Sequence, residues 1–553
     1  MNSVVLMVLG LAVVYIGYNI YSKYVDSKII EADPKRATPA KMYTDGVDFF
    51  PTSRFVLFGF QFKSIAGMAP VVGAIIALQW GWLPAVLWLF GGVLFIGWVH
   101  DYGSSMISVR NEGQTFGGLS YRFVSPRARL ILLMFIYIYL LTVVGAFGFF
   151  LTALFSNIGS VAVGILGLVI AGLIAGQLIY RQKMDIMMVS GAMVVLAVIA
   201  IWLGTKIPIT LDKVVWIILI LAFCYFAAVL PIWRWAQPIN YIGFYIIFLG
   251  IIGAAIGVLV GHPTLYVPSY TSFTVKIGPL WPMLMVTIAC GAISGWHSLV
   301  GSSGTSRQLQ NELDNRPVTA GSMFSEMILG LLALIIAAST FESFDAFKAL
   351  LGKSVLSVYA VGTGNVLSYI GIPKDFGTAW GAAILVVLGI TVMGLVVRFM
   401  RVATAELAGE KIPILKNAHV ATLLALILGF ILIYTGTWSY LWLTFGGANQ
   451  LMASLALLMI TIWLVSEKRQ YAWTMYPMIF MYVTTIAALL YLARGIFTNV
   501  TTGAVTGATM YGQLIALAIE LLLVVAALIL GYDGWNSFKA FKAGKKKVKP
   551  AAA

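Results

Sequence analysis

Residues 60–70 read Phe60-Gln61-Phe62-Lys63-Ser64-Ile65-Ala66-Gly67-Met68-Ala69-Pro70. The stretch interrupts an apolar segment with an amide and an ammonium group. Its proline lacks an amide hydrogen and disfavours helix at Ala69. A membrane tolerates such a break only where protein or water surrounds the backbone. The stretch therefore predicts a membrane helix that is unwound and faces the protein interior.

A second interruption occupies residues 290–305, which read Cys290-Gly291-Ala292-Ile293-Ser294-Gly295-Trp296-His297-Ser298-Leu299-Val300-Gly301-Ser302-Ser303-Gly304-Thr305. Its four glycines and its hydroxyl side chains weaken a helix. Paired broken helices of opposite direction are typical of transporters built from inverted repeats, in which freed backbone groups bind substrate and ion. The alternative is that these glycines only permit tight packing between helices.

The composition is that of an integral membrane protein. The chain has 553 residues, of which 61% are hydrophobic and 10% charged, and its mean hydropathy is +0.95. No polar stretch reaches the size of a soluble domain. Residues 1–531 are therefore predicted to form one transmembrane domain, followed by a basic cytoplasmic tail over 532–553. Cys224 and Cys290 lie in apolar segments, which argues against a disulfide framework and a structural zinc site.

About 20 apolar residues are needed to cross the hydrocarbon core as a helix. With this length criterion, the sequence predicts an all-α protein of about fifteen transmembrane helices. The segments are approximately 3–21, 55–80, 82–106, 129–153, 158–180, 184–204, 214–231, 239–260, 279–300, 318–342, 376–399, 417–436, 438–465, 473–494 and 509–531. With the N-terminus outside, 28 of the 35 lysines and arginines fall in cytoplasmic loops. This bias predicts an inner-membrane protein whose C-terminus lies in the cytoplasm. It also explains the net charge of +15 without nucleic acid.

The two broken segments, 55–80 and 279–300, are seven spans apart and therefore cross in opposite directions. This arrangement predicts inverted halves at about 55–204 and 279–465, with the other helices peripheral. The substrate site is expected between the two breaks. Its candidate residues are Ala66, Gly67, Met68, Ala69, Gly291, Ser294, Gly295, Trp296, His297, Asn449 and Gln450. For the two amides, hydrogen bonding between helices is the alternative.

Ionisable side chains inside membrane segments are candidates for ion coupling, because burying a charge there is costly. Glu326, His297 and the pair His100-Asp101 are candidate proton carriers, since histidine titrates near neutral pH. The alternatives are exposure at the membrane interface for Glu326, a solvated helix end for His100 and Asp101, and a purely structural hydrogen bond for His297.

Sodium coupling stays open, because the hydroxyls of Ser302 and Thr305 suit a sodium ion and Lys63 is a candidate fixed cation in its place. The chain has no Gly-x-x-x-x-Gly-Lys-Ser/Thr phosphate loop, so ATP is not expected to drive it. Suitable metal-ligand spacing, a haem-attachment motif and a soluble catalytic module are also absent. No cofactor or metal is expected, and an enzyme is the least favoured class.

Four runs of residues resemble the carbon starvation protein A (CstA) family. They lie within residues 62–81, 100–117, 290–305 and 445–453 and include Phe62-Lys63-Ser64-Ile65-Ala66-Gly67, His100-Asp101-Tyr102, Cys290-Gly291-Ala292-Ile293-Ser294-Gly295-Trp296-His297 and Phe445-Gly446-Gly447-Ala448-Asn449-Gln450-Leu451-Met452-Ala453. The resemblance covers about residues 5–490. It implies a multi-pass inner-membrane peptide transporter, with some relatives importing pyruvate with protons. It also implies the amino acid–polyamine–organocation superfamily and a five-plus-five inverted-repeat core of the leucine-transporter type.

We therefore expect a secondary transporter that imports peptides, coupled to protons, for nutrient scavenging during carbon starvation. A pyruvate/proton symporter is the alternative within transport. A channel or a membrane-embedded nutrient sensor is the alternative of another class. A channel needs no coupling acid, so Glu326→Gln leaves its flux intact but abolishes uphill uptake by a proton symporter. The sequence leaves the oligomeric state open.

Overall fold

The computed structural model describes residues 1–46, 48–408, 411–435 and 438–550, and the chain is mostly helical. The helices of these described residues are α1 (Ser3–Tyr15), α2 (Pro39–Met42), α3 (Arg54–Ile65), α4 (Ala69–Ala77), α5 (Trp82–Gly92), α6 (Trp98–Val109), α7 (Phe116–Phe123), α8 (Pro126–Asn157), α9 (Val161–Gly176), α10 (Ile186–Lys206), α11 (Lys213–Val229), α12 (Ala236–Gly261), α13 (Met285–Thr287), α14 (Gly295–Ser303), α15 (Gly321–Ser339), α16 (Phe344–Lys353), α17 (Val355–Ser368), α18 (Lys374–Ala408), α19 (Ala418–Tyr434), α20 (Trp438–Ser466), α21 (Ala472–Thr501) and α22 (Gly507–Lys542). The strands β1 (Thr274–Val275) and β2 (Gly278–Pro279) form a short antiparallel hairpin between α12 and α13.

Within the described residues, eleven helices are long and apolar enough to cross a membrane. A twelfth span results if α3 and Ala69–Trp80, which are bent by 50° at their break, count as one. The helices α11 and α19 are apolar but shorter, and α13 and α14 lie on either side of the second break. Each of the fifteen predicted segments therefore overlaps a helix. The all-α membrane class is confirmed, whereas the count of fifteen spans is not.

The length criterion of about 20 apolar residues did not predict α16 and α17. The 14 residues of α17 are too short for the hydrocarbon core at 1.5 Å per residue. This helix packs closely on the start of α18, since a Cβ atom added to Gly364 would lie 2.6 Å from the Lys374 carbonyl oxygen. It therefore belongs to the connection between α15 and α18.

The last helix, α22, extends past residue 531, where the predicted transmembrane domain ends. Aromatic side chains at helical spacing hold this extension against the rest of the protein. Phe538 packs edge-on against Tyr471 with ring centres 5.5 Å apart, and Phe541 lies 6.3 Å from Phe123. The first part of the predicted tail is thus an ordered, packed helix.

Two helices, α18 and α20, form the centre of the molecule. In each of them, 100% of the most apolar 18-residue stretch is buried. For the segment that begins with α1, and for α10, that share is only 28%. The central helices are therefore enclosed by protein, whereas the outer ones present apolar faces to the lipid.

Candidate functional site

The two broken segments lie side by side in the interior. A Cβ atom added to Gly73 of α4 would lie 2.2 Å from the carbonyl oxygen of Thr287, the last residue of α13. A Cβ atom at Gly291, within the second break, would lie 3.5 Å from the Cβ of Pro70. The unwound residues 66–68 and 288–294 are all buried. Two interruptions that are far apart in sequence therefore meet in one region, as the sequence predicts.

Small residues from other helices enclose the second break. An added Cβ atom at Gly97, the residue just before α6, would lie 2.4 Å from the carbonyl oxygen of Ala292. One at Gly446 of α20 would lie 2.3 Å from the carbonyl oxygen of Val286. These contacts are only feasible without side chains. Close helix packing, the alternative to a binding role, is therefore one function of the glycines here.

Asn449 of α20 caps α14 from outside that helix. Its Oδ1 accepts hydrogen bonds from the backbone N–H of Trp296 at 3.1 Å, from the Ser294 hydroxyl at 3.2 Å and from the Tyr139 hydroxyl at 2.8 Å. Its Nδ2 lies 3.3 Å from the sulfur of Cys290. The first N–H groups of a helix have no partner within it, and a side-chain oxygen usually satisfies one of them.

Gln450, the neighbouring amide, binds the freed carbonyls on the other side of the break. Its Nε2 donates to the Met285 carbonyl at 2.8 Å and lies 3.4 Å from that of Ile288. The structure thus shows the hydrogen bonds between helices that were the alternative for both amides. Contact of Asn449 or Gln450 with substrate stays a prediction.

A chain of four ionisable side chains runs through α6, α14 and α15. His100 Nδ1 lies 2.9 Å from one Asp101 oxygen, and His297 Nδ1 lies 2.8 Å from the other. His297 Nε2 lies 3.1 Å from a Glu326 oxygen, without the alignment of a good hydrogen bond. All four side chains have no exposed surface. Interfacial exposure of Glu326 and a solvated helix end at His100 and Asp101 are therefore wrong for this conformation.

Lys63 lies in the same buried region, near enough to Glu326 for the two charges to interact. Its Nζ donates to the Thr391 hydroxyl of α18 at 2.6 Å. Within the described residues no carboxylate pairs directly with this ammonium group. Lys63 is thus a fully buried amine whose hydrogen-bond partner is the neutral hydroxyl of Thr391.

The two predicted hydroxyls, Ser302 and Thr305, lie at and just beyond the end of α14. The carbonyl of Ser302 accepts the hydroxyls of Ser108 and Ser306, both at 2.8 Å. The hydroxyl of Thr305 donates to the side-chain oxygen of Gln61 in α3. These bonds join α14 to α3 and α6, and neither residue belongs to the chain of ionisable groups.

Several contacts around the breaks escaped the sequence reasoning. Trp296 donates from its indole nitrogen to the backbone carbonyl of Ser64 at 2.7 Å, which ties the two broken segments together. Tyr139 and Thr391 supply the bonds to Asn449 and Lys63 from long apolar helices. A tyrosine in a segment rich in aromatic residues and a threonine that also bonds its own helix carry no distinctive sequence signal.

The structure also has a cavity of about 300 Å³ beside the C-terminal half of α14. Most of its wall is apolar, including Leu133, Ile136 and Leu299. Charged side chains also reach the wall, namely Asp48, Arg307, Arg398, Arg401 and Glu406. These three arginines are among the 28 basic residues predicted to be cytoplasmic.

Among the described residues, no group of three or more His, Cys, Asp or Glu side chains is arranged to hold a metal ion. Apolar helices around two broken ones, with buried charges beside the breaks, define the class of multi-pass α-helical membrane transport proteins.

The family model described as Carbon starvation protein CstA matches residues 2–358 and 342–488, and the chain belongs to this family. It is 29% identical to the peptide transporter CstA of Bacillus subtilis, over 97% of this chain and 98% of that protein. It is 28% identical to the pyruvate/proton symporter BtsT of Escherichia coli, over 88% of this chain and 81% of that protein. These relatives identify a transporter.

Among solved structures, a manganese transporter of Eremococcus coleocola is similar with a TM-score of 0.40 and 13% identity. The match covers 89% of this chain and 99% of that one.

Proposed function

We propose that this protein imports peptides across the cytoplasmic membrane, coupled to protons, as a means of scavenging nutrients during carbon starvation. The observation that carries the proposal is the buried chain from His100 through Asp101 and His297 to Glu326. Burying four ionisable groups in a membrane protein is costly, and such groups usually mark an ion path. Family relatives named as peptide transporters support the substrate class.

The coupling chain adjoins the proposed substrate region through α14. His297 belongs to the coupling chain, whereas the adjacent Trp296 binds Asn449 and the Ser64 carbonyl at the breaks. A proton that neutralises Glu326 weakens its attraction to His297 and so loosens α14 from α15. Protonation and the geometry of the breaks thus change together, which is what coupled transport requires.

A carboxylate is the substrate group that the breaks suit best. The helices α4 and α14 both begin at a break, and the N-terminal end of a helix carries partial positive charge. Peptides and pyruvate both carry a carboxylate. In the conformation described, all the candidate residues at the breaks are buried, so substrate entry requires α14 and its neighbours to move.

The topology proposed with this function has the N-terminus outside, the C-terminus in the cytoplasm and inverted halves at about 55–204 and 279–465. The distribution of lysine and arginine supports this orientation. The opposite directions of the two breaks and their contact support the inverted halves and the leucine-transporter-like, amino acid–polyamine–organocation assignment.

Uptake into proteoliposomes under an imposed pH gradient tests the proposal. Labelled di- and tripeptides should accumulate against their gradient, and Glu326→Gln should abolish that accumulation. Glu520→Gln is the matched control, because Glu520 is also buried but accepts a hydrogen bond from Thr444 and is not a member of the coupling chain. Accumulation that follows a sodium gradient instead would refute proton coupling, and unaltered accumulation in Glu326→Gln would refute the coupling role of Glu326. Equilibration without accumulation in wild type would indicate a channel.

Pyruvate is the second candidate substrate, because a pyruvate/proton symporter matches this chain about as closely as the peptide transporters do. Labelled pyruvate belongs in the same experiment. Accumulation of pyruvate with no uptake of peptides would replace the proposed substrate and leave the coupling proposal intact.

A further inference from the structure

The wall of the cavity beside α14 carries three arginines and two carboxylates. Asp48 attracts Arg398 and Arg401 only from beyond ion-pair distance. Arg307 pairs with Asp48 at 3.8 Å, and Glu406 pairs with Arg129 at 3.6 Å. For Arg398 and Arg401, no carboxylate of the described residues lies within 4.0 Å. The charges at the wall therefore favour an anion.

Hydrogen bonds to backbone carbonyls fix Arg398 and Arg401 in place and leave some of their N–H groups unused. Arg398 donates to the carbonyls of Ala227 and Leu230, and Arg401 donates to that of Ala228 at 2.9 Å. These carbonyls belong to the C-terminal end of α11, where cations are favourable. A guanidinium has five N–H donors, so each arginine has others for a carboxylate, which it binds in a planar, two-pronged geometry.

A short aromatic contact separates this cavity from the breaks. Phe399 lies in the cavity wall, and its ring packs edge-on against Trp296 with the centres 5.4 Å apart. Trp296 in turn donates to the Ser64 carbonyl at the first break. Displacement of these two rings would join the cavity to the proposed substrate region.

The geometry points to a substrate vestibule in which Arg398 and Arg401 bind the carboxylate of a small organic acid or short peptide, with Trp296 and Phe399 as its inner gate. This assignment rests on the proposed function and adds a second binding position to it. The volume of about 300 Å³ is at the lower end of the range for small-molecule sites. The vestibule therefore suits a small carboxylate rather than a long peptide.

Binding to the purified full chain in detergent tests the vestibule without a pH gradient. The probes are pyruvate, alanyl-alanine and alanyl-alanine amide, which lacks the carboxylate. Arg401→Gln should bind the carboxylate probe about ten- to a hundredfold more weakly than wild type, the range expected for losing a hydrogen bond to a charged group. Its affinity for the amide should not change, and Arg181→Gln, an exposed arginine outside the cavity, should match wild type.

A second variant keeps the test decisive if Arg401→Gln does not fold. Glu406→Gln removes a negative charge from the same wall, so it should tighten binding of the carboxylate probes and leave that of the amide unchanged. Unaltered carboxylate affinity in Glu406→Gln and in any soluble arginine variant would overturn the vestibule. If the carboxylate affinity is unaltered in these variants while uptake still depends on Glu326, the vestibule is wrong and the proposed function stands. If wild type binds neither carboxylate, the vestibule and the proposed function both fail.

Discussion

Removing the side chain of Asn449 should destabilise the protein by about 2–4 kcal/mol. Asn449→Ala deletes the acceptor of three hydrogen bonds, from the Trp296 backbone, Ser294 and Tyr139. The Trp296 N–H cannot turn to another partner, and an unpaired buried donor costs about 1–3 kcal/mol. The two hydroxyls can rotate, so each contributes about 0.6 kcal/mol, the average for side-chain hydrogen bonds in a membrane protein.

Asn240→Ala is the matched control, since it deletes the same atoms from a buried position. The amide of Asn240 in α12 has no hydrogen-bond partner among the described atoms. Its loss therefore removes packing contacts but no hydrogen bond. Unfolding free energies from denaturant titration in mixed micelles should differ between the two variants by about the hydrogen-bond contribution. Equal values, within about 0.5 kcal/mol, would refute the role of Asn449 as the cap of α14.

Three other consequences can be checked. Gly73→Val should lower the unfolding midpoint through overpacking worth about 1–3 kcal/mol, because an added Cβ atom would lie 2.2 Å from the Thr287 carbonyl oxygen. Gly91→Val is the control and should leave the midpoint unchanged, since an added Cβ atom there has nothing within 4 Å. Equal midpoints for the two variants would contradict the contact between the breaks. In a Cys224→Ala background, maleimide should label buried Cys290 faster during turnover than at rest, and a rate independent of substrate would argue against movement at the breaks. Lys546→Ala removes bonds to the Val124 carbonyl and Ser537, so trypsin should cut the tail several-fold faster than in Lys545→Ala; equal cleavage would show that the tail is not held there.

The location of the breaks could be read from the sequence, because lysine and proline interrupt the first apolar segment and four glycines cluster with hydroxyl side chains in the second. The partners of those breaks could not. Asp101 and His297 are 196 positions apart, and only the fold brings them within 2.8 Å. Arg398 and Arg401 lie at the end of the predicted segment 376–399, so the charge count assigned them to the cytoplasmic side. Their position on a cavity depends on the length of α18, which a length criterion of about 20 residues underestimates.

The capping role of Asn449 illustrates a further limit. Residue type indicates that a buried amide must find partners, but not whether these are a ligand or another helix. The short helix α17 was overlooked for a similar reason, since a threshold of about 20 residues ignores apolar helices that pack on the protein without crossing the bilayer.

The enclosure of α18 and α20 has a consequence for how the protein meets different membranes. A change in bilayer thickness acts on lipid-facing helices through hydrophobic mismatch, which they relieve by tilting. Because α18 and α20 have their most apolar stretches wholly inside the protein, that strain reaches them only through their neighbours. Adaptation to thicker or thinner bilayers can therefore proceed by changes in α1, α10 and other outer helices while Lys63's partner Thr391 and the cap Asn449 keep their positions.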